Sequence, residues 1–190
     1  MTGSFGTGKT TVAGMLRAYG ARVIDADAIG HNLLRKRTRV YVSIVRRFGS
    51  GVLASDKTID RRALSAVVFA SDARLKQLNQ IIHPEIIRII KEEISKVRKG
   101  VVVLDAPLLV ETGLNRYADK LVVVTSSRAR QIQRVQKRSR LSKTAIVRRL
   151  RSQIPLQDKV RMADFVIDNN GTRKDLRKQV MEIRRMWWTS

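Results

Sequence analysis

Gly3-Ser4-Phe5-Gly6-Thr7-Gly8-Lys9-Thr10 stands almost at the start of the chain and matches G-x-x-x-x-G-K-[ST]. Glycines at this spacing let successive backbone N–H groups converge on the α- and β-phosphates of a nucleotide, and a following helix adds the positive end of its dipole. Thr11-Val12-Ala13-Gly14-Met15-Leu16 reads as that helix, which weighs against a chance glycine-rich turn. In such a loop Lys9 reaches the β- and γ-phosphates while the Thr10 hydroxyl ligates Mg²⁺. Gly6, Thr7, Gly8, Lys9, Thr10 and Thr11 are therefore the expected triphosphate contacts, with Thr10 also an expected metal ligand.

A phosphate loop hangs from the carboxyl end of a buried strand, yet only Met1 and Thr2 precede Gly3. The reading is that the first strand is missing. An upstream start is favoured over a gap, because a gap would leave two neighbouring strands with unpaired backbone groups inside the sheet.

Downstream, short apolar runs alternate with longer amphipathic stretches, the pattern of βαβ units on a parallel sheet. Strands are expected at Arg22–Asp25, Val101–Asp105, Lys120–Thr125 and Phe165–Asp168. His83-Pro84 is expected to open a helix that Gly100 closes, and Thr172 with Asp175 to cap another that ends at Trp187 and Trp188, which pack on the core or meet a partner rather than stack on a ligand. Residues 33–99 are too many for one crossover helix and read as an inserted helical lobe.

Val23-Ile24-Asp25-Ala26-Asp27 places two acids at a strand end, where residues two apart face the same side and can address one crevice. Asp27 there can accept a proton from a substrate hydroxyl, or cap the helix that follows. Leu104-Asp105 ends the next strand as a Walker B acid does, holding Mg²⁺ through water. Glu111 can orient an arginine or a sugar hydroxyl, or be a solvated acid. From Lys120 to Gln157 there is no acidic residue, and residues 128–153 read as a basic lid over a triphosphate.

The 190 residues, 43% hydrophobic and 29% charged, suit one domain with a real core and exclude disorder. No run approaches the roughly 18 apolar residues of a membrane-spanning helix, and no signal peptide opens the chain. Zero cysteines exclude a disulfide framework and fit a reducing cytoplasm. The net charge of +23 exceeds what a nucleotide pocket needs, and leaves phosphate-rich ligands, nucleic acid or compositional drift as causes.

Together these blocks resemble the dephospho-CoA kinase family. Besides the loop, the likeness rests on Ile24-Asp25-Ala26-Asp27 with Gly30-His31, Ile59-Asp60-Arg61-Arg62-Ala63-Leu64, Ile82-His83-Pro84, Asp105-Ala106-Pro107-Leu108-Leu109-Val110-Glu111, Gln153-Ile154-Pro155 and Ala163–Gly171. The resemblance implies an α/β P-loop kinase fold: a parallel five-stranded sheet flanked by helices, its first strand truncated here, with a helical substrate lobe and a lid. It implies ATP-dependent phosphorylation of the ribose 3′-hydroxyl of dephospho-CoA, with Mg²⁺, in the cytoplasm. Asp27 then matches the acid beside that hydroxyl, Arg138 and Arg149 match lid arginines on the phosphates, and Asn170 lies in the segment near the adenine. Asp60, Arg61 and His83 fall in the lobe that holds the acceptor, in a structural or a contacting role. Two rivals remain: a nucleoside monophosphate kinase of the same fold, and a nucleic-acid-binding protein on the same scaffold. The intact Gly8-Lys9-Thr10 and the paired acids favour the kinase, with nucleic acid retained only as a non-specific polyanion.

Overall fold

The phosphate loop does have a strand behind it. In the computed structural model, which describes residues 1–139 and 141–188, β1 (Thr2–Gly3) runs through the loop into α1 (Lys9–Ala18), β2 (Arg22–Asp25) and α2 (Ala26–Leu33). Three helices follow, α3 (Arg39–Phe48), α4 (Arg61–Phe69) and α5 (Asp72–Ser95). The chain then returns through β3 (Val102–Asp105), β4 (Val122–Thr125), α6 (Arg128–Arg138), α7 (Lys143–Arg151), α8 (Leu156–Arg161), β5 (Phe165–Asp168) and α9 (Arg173–Trp187).

All strand pairs are parallel. β2 pairs with β3, Arg22 opposite Val102 and Asp25 opposite Asp105, while β4 lies between β1 and β5. β1 aligns Thr2 with Val123 and Gly3 with Val124. The expected missing strand is thus corrected to a very short one. Met1 joins the two groups of strands: its amine donates to the Leu104 carbonyl at 2.7 Å, and its own carbonyl accepts the Ala106 N–H at 3.2 Å. Buried backbone groups demand partners, and one residue of main chain supplies them between β3 and β4. Burial pushes the Met1 amine down to about 5, against its ordinary 8.0.

Met1–Asp25 and Val97–Ser190 form one compact unit. Its core sets Val12 and Leu16 of α1 and Leu176, Val180 and Ile183 of α9 against Val124 and Ile167 of the sheet. The helical spacing of those α9 residues buries one face, and Thr172 with Asp175 closes its start as a reciprocal capping box. Trp187 ends α9 edge-on to Phe165, ring centroids 6.2 Å apart, which gives the expected core role. Asp164 accepts the Leu121 N–H at 2.7 Å; that bond, and Lys120 beside it, hold its carboxyl below the usual range.

Ala26–Lys96 form the second unit, with its own core of Leu33, Val40, Ile44, Val52, Leu64 and Val68. Asp60 caps α4, accepting the N–H groups of Arg62 and Ala63 at 2.8 and 3.2 Å. Pro84 does not open a helix as expected; it lies inside α5. Its missing N–H and its ring cost a helix interior about 3 kcal/mol. Leu75, Leu78 and Ile82 before it and Ile86 and Ile89 after it pack on the same core, and burial of a few such side chains at about 1.5–3 kcal/mol each outweighs that cost.

The lysine of α8 is the least expected core residue. Lys159 is 0% exposed, pairs with Glu111 Oε1 at 2.6 Å and donates to the Pro107 carbonyl at 2.8 Å. Glu111 Oε1 also accepts the Ile154 N–H at 3.2 Å, and Thr2 Oγ1 donates to Pro107 at 3.0 Å. Glu111 is therefore neither a solvated acid nor an arginine's partner. This pair ties β1, the segment after β3 and the start of α8 together. Removing one member strands a buried charge, so Lys159→Met is expected to lower unfolding stability by about 3–5 kcal/mol. Urea denaturation with an unchanged m-value would register it.

Candidate active site

The turn between β1 and α1 is built from within. Thr7 Oγ1 and the Thr7 N–H both donate to the Ser4 carbonyl, at 2.9 and 3.2 Å. Gly6 and Gly8 sit at φ +83° and +90°, the left-handed region that side chains avoid. Space forbids a side chain as well. A Cβ on Gly6 would lie 2.8 Å from the Gln131 carbonyl of α6, and one on Gly8 would lie 2.1 Å from Asn169 Nδ2. No side chain caps the start of α1 at Gly8, which leaves the first amides of that helix suited to an anion.

The Thr7 carbonyl is clamped from two sides. Asn169 Nδ2, just past β5, donates to it at 2.7 Å, and the Arg134 guanidinium of α6 donates at 3.2 Å. Arg134 also donates to the Asn169 carbonyl at 2.8 Å. Neither residue was among the expected ligands, although both fall in stretches that were singled out. An acid-free helix with arginines four apart is a signal for a phosphate-facing stripe, but it does not say which arginine turns inward. Burial first, then Arg130 and Arg138 one turn away on either side, push the Arg134 guanidinium below its ordinary range. α6 carries no acid to relieve that repulsion.

Lys9 and Asp105 meet directly. The Lys9 ammonium donates to Asp105 Oδ1, their side chains only 14% and 9% exposed. The glycine loop and the end of β3 thus share one charge pair, a cation that a phosphate would recruit and an acid that it would release. Arg149, in the last turn of α7, lays its guanidinium 4.3 Å from the centroid of the Phe5 ring, within the loop itself. Arg138 ends α6 in an exposed position. Thr10 and Thr11 line a cleft with Asn169, Arg173 and Arg177. Asn170 is engaged within the fold: its Oδ1 accepts the Ser127 N–H at 2.8 Å.

Asp27 belongs to the second unit. The expectation that Asp25 and Asp27 alternate along one strand is corrected, because β2 ends at Asp25 and Asp27 is the second residue of α2. An acid in a helix's first turn complements the dipole there. The period-two rule fails because the helix begins inside the Asp25-Ala26-Asp27 triplet.

The family model for dephospho-CoA kinase matches residues 1–175. The chain belongs to that family. It is 40% identical to the dephospho-CoA kinase of Bacillus licheniformis over 190 aligned positions, covering 98% of this chain and 94% of that one. A crystal structure from Thermus thermophilus superposes with a TM-score of 0.89 at 33% identity, covering 100% of this chain and 96% of that one. The dephospho-CoA kinase from Campylobacter jejuni gives 0.68 at 29% identity, covering 97% and 93%. The fold is that of the P-loop kinases, and membership makes the chain a phosphotransferase with an alcohol acceptor.

The clamp is testable. Asn169→Ala removes one of two partners from a fully buried carbonyl and is expected to cost about 0.5–1.5 kcal/mol of stability and to weaken nucleotide binding. Thermal melts with and without ATP would show both, the ATP-induced rise in Tm being smaller in the variant.

Proposed function

We propose that this kinase transfers the γ-phosphoryl group of ATP to the ribose 3′-hydroxyl of dephospho-CoA, completing coenzyme A. The observation that carries the reading is the Lys9–Asp105 pair at the glycine loop, in a chain of this family. The loop amides from Gly6 to Thr11 hold the α- and β-phosphates and leave the β- and γ-oxygens to Lys9. Lys9 turns from Asp105 to those oxygens as they arrive, exchanging one carboxylate for a more highly charged partner.

The residues present fit Mg²⁺. Thr10 and Asp105 offer hard oxygen donors, and no group of three or more His, Cys, Asp or Glu able to hold a metal occurs among the described residues. Two such donors suit an ion which keeps several waters and takes phosphate oxygens rather than a protein cage. When bound, it neutralises charge on the β- and γ-phosphates.

Asp27 orients the acceptor hydroxyl and takes its proton as the oxygen bonds to the γ-phosphorus and the bond to the β-phosphate oxygen breaks, releasing ADP. Arg138 and Arg149 stabilise charge on the transferring group, α6 and α7 acting as the lid, and Asn170 belongs to the segment beside the adenine. The helices of Ala26–Lys96 hold the acceptor. We place the reaction in the cytoplasm, as the resemblance to this family implies. No helix among the described residues is long and apolar enough to cross a membrane. At +23 the chain retains polyanions non-specifically, without a dedicated nucleic-acid site.

Coupled ADP-release assays test this. Dephospho-CoA should support turnover where AMP, GMP and dTMP do not. Lys9→Ala should abolish measurable turnover, and Asp27→Asn should lower kcat by about 10²–10⁴-fold with little change in the KM for ATP. An Asp27→Asn enzyme with undiminished kcat would remove the base from the scheme.

A further inference from the structure

Phe5 fills one of the free positions of the phosphate-loop pattern with an aromatic ring, and two residues of another segment hold it. Its ring carries the Arg149 guanidinium at 4.3 Å, and its backbone N–H donates to Gln153 Oε1 at 2.9 Å. Arg149 and Gln153 are four residues apart, so the last turn of α7 and the segment after it grip the same loop residue by its side chain and its main chain. That segment has a fixed base, because the next residue, Ile154, donates its N–H to Glu111, which is paired with the buried Lys159.

We infer that Phe5 and Gln153 are positioning residues for nucleotide binding and phosphoryl transfer, acting through Arg149. This rests on the reading of Arg149 as a triphosphate ligand. A guanidinium held over a ring by cation–π attraction is anchored without an oxygen acceptor, so its N–H donors stay available to an anion. Phe5 therefore holds Arg149 beside the loop, 4.3 Å from the ring centroid, by a contact that uses no oxygen acceptor. The Gln153 carboxamide satisfies the Phe5 N–H and keeps the chain behind Arg149 from drifting. A branched aliphatic residue at position 5 would fill the same space without offering a ring face, so the ring itself is the functional element.

A double-mutant cycle separates this from a merely structural role. Wild type, Phe5→Leu, Arg149→Ala and the double variant are titrated with a non-hydrolysable ATP analogue by calorimetry, and their kcat and KM measured with dephospho-CoA. Phe5→Leu is expected to weaken analogue binding by about two- to fivefold, the range for a cation–π contact at an exposed site. Phe5→Tyr, which keeps the ring, should restore it at an unchanged Tm, and Phe5→Leu should cost nothing further once Arg149 is gone. Equal losses with and without Arg149, wild-type binding by Phe5→Leu, or wild-type binding by Arg149→Ala would each overturn the inference. If Phe5→Leu does not fold, Gln153→Ala replaces it in the cycle and is expected to weaken analogue binding while Arg149 is present and to cost nothing further once Arg149 is gone. Analogue binding needs no acceptor. A coupled cycle in a chain inactive on dephospho-CoA therefore removes the proposed activity and keeps this inference, whereas an active chain with additive losses does the reverse.

Discussion

Three parts of the fold converge on the carbonyl of Thr7. The residue is 0% exposed, and its oxygen is held by Asn169 from the end of β5 and by Arg134 from α6. A main-chain acceptor buried at that depth must be partnered, and here the partners come from elements far away in sequence. With that oxygen taken, the loop keeps its turn at Gly8, where an added methyl group would collide with the same asparagine. The loop is shaped by its surroundings before any phosphate reaches it.

Charge is arranged around the same turn. Lys9 is neutralised by Asp105, whereas α6 carries no acid of its own and its Arg134 is depressed by burial first and by Arg130 and Arg138 next. The two halves of that arrangement differ in kind. A nearly buried ion pair holds its geometry, while a stripe of like charges favours whatever anion arrives. On the proposed reading a triphosphate answers both, drawing the lysine away from its carboxylate and relieving the repulsion along α6.

Much of this was legible in the sequence, because local rules decide it. The phosphate loop, the bounds of β2 and β5 and the capping box of α9 follow from glycine spacing, apolar runs and a Thr–Asp pair three residues apart. The failures are places where tertiary packing overrides a local preference. Pro84 sits inside α5 because its neighbours on both sides face one core. β1 survives at two residues because Met1 satisfies backbone groups of its neighbours. Lys159 is indistinguishable by spacing from a surface lysine, and only the fold brings Glu111 and the Pro107 carbonyl to it. Asp27 shows the remaining hazard, since a single residue decides whether an acid is counted on a strand or on a helix.

The acid-free run from Lys120 to Gln157 has a consequence for the solution the protein lives in. A helix that carries no counter-charge of its own borrows it from dissolved ions. The Debye length is about 30 Å at 0.01 M ionic strength and about 8 Å at 0.15 M, so dilute buffer lets cations along the whole of α6 and α7 feel one another, and cellular salt does not. On the proposed reading of α6 and α7 as a lid, inorganic phosphate or sulfate in a buffer competes for the guanidinium groups that a nucleotide would seek. The electrolyte is in that sense a silent component of the proposed lid.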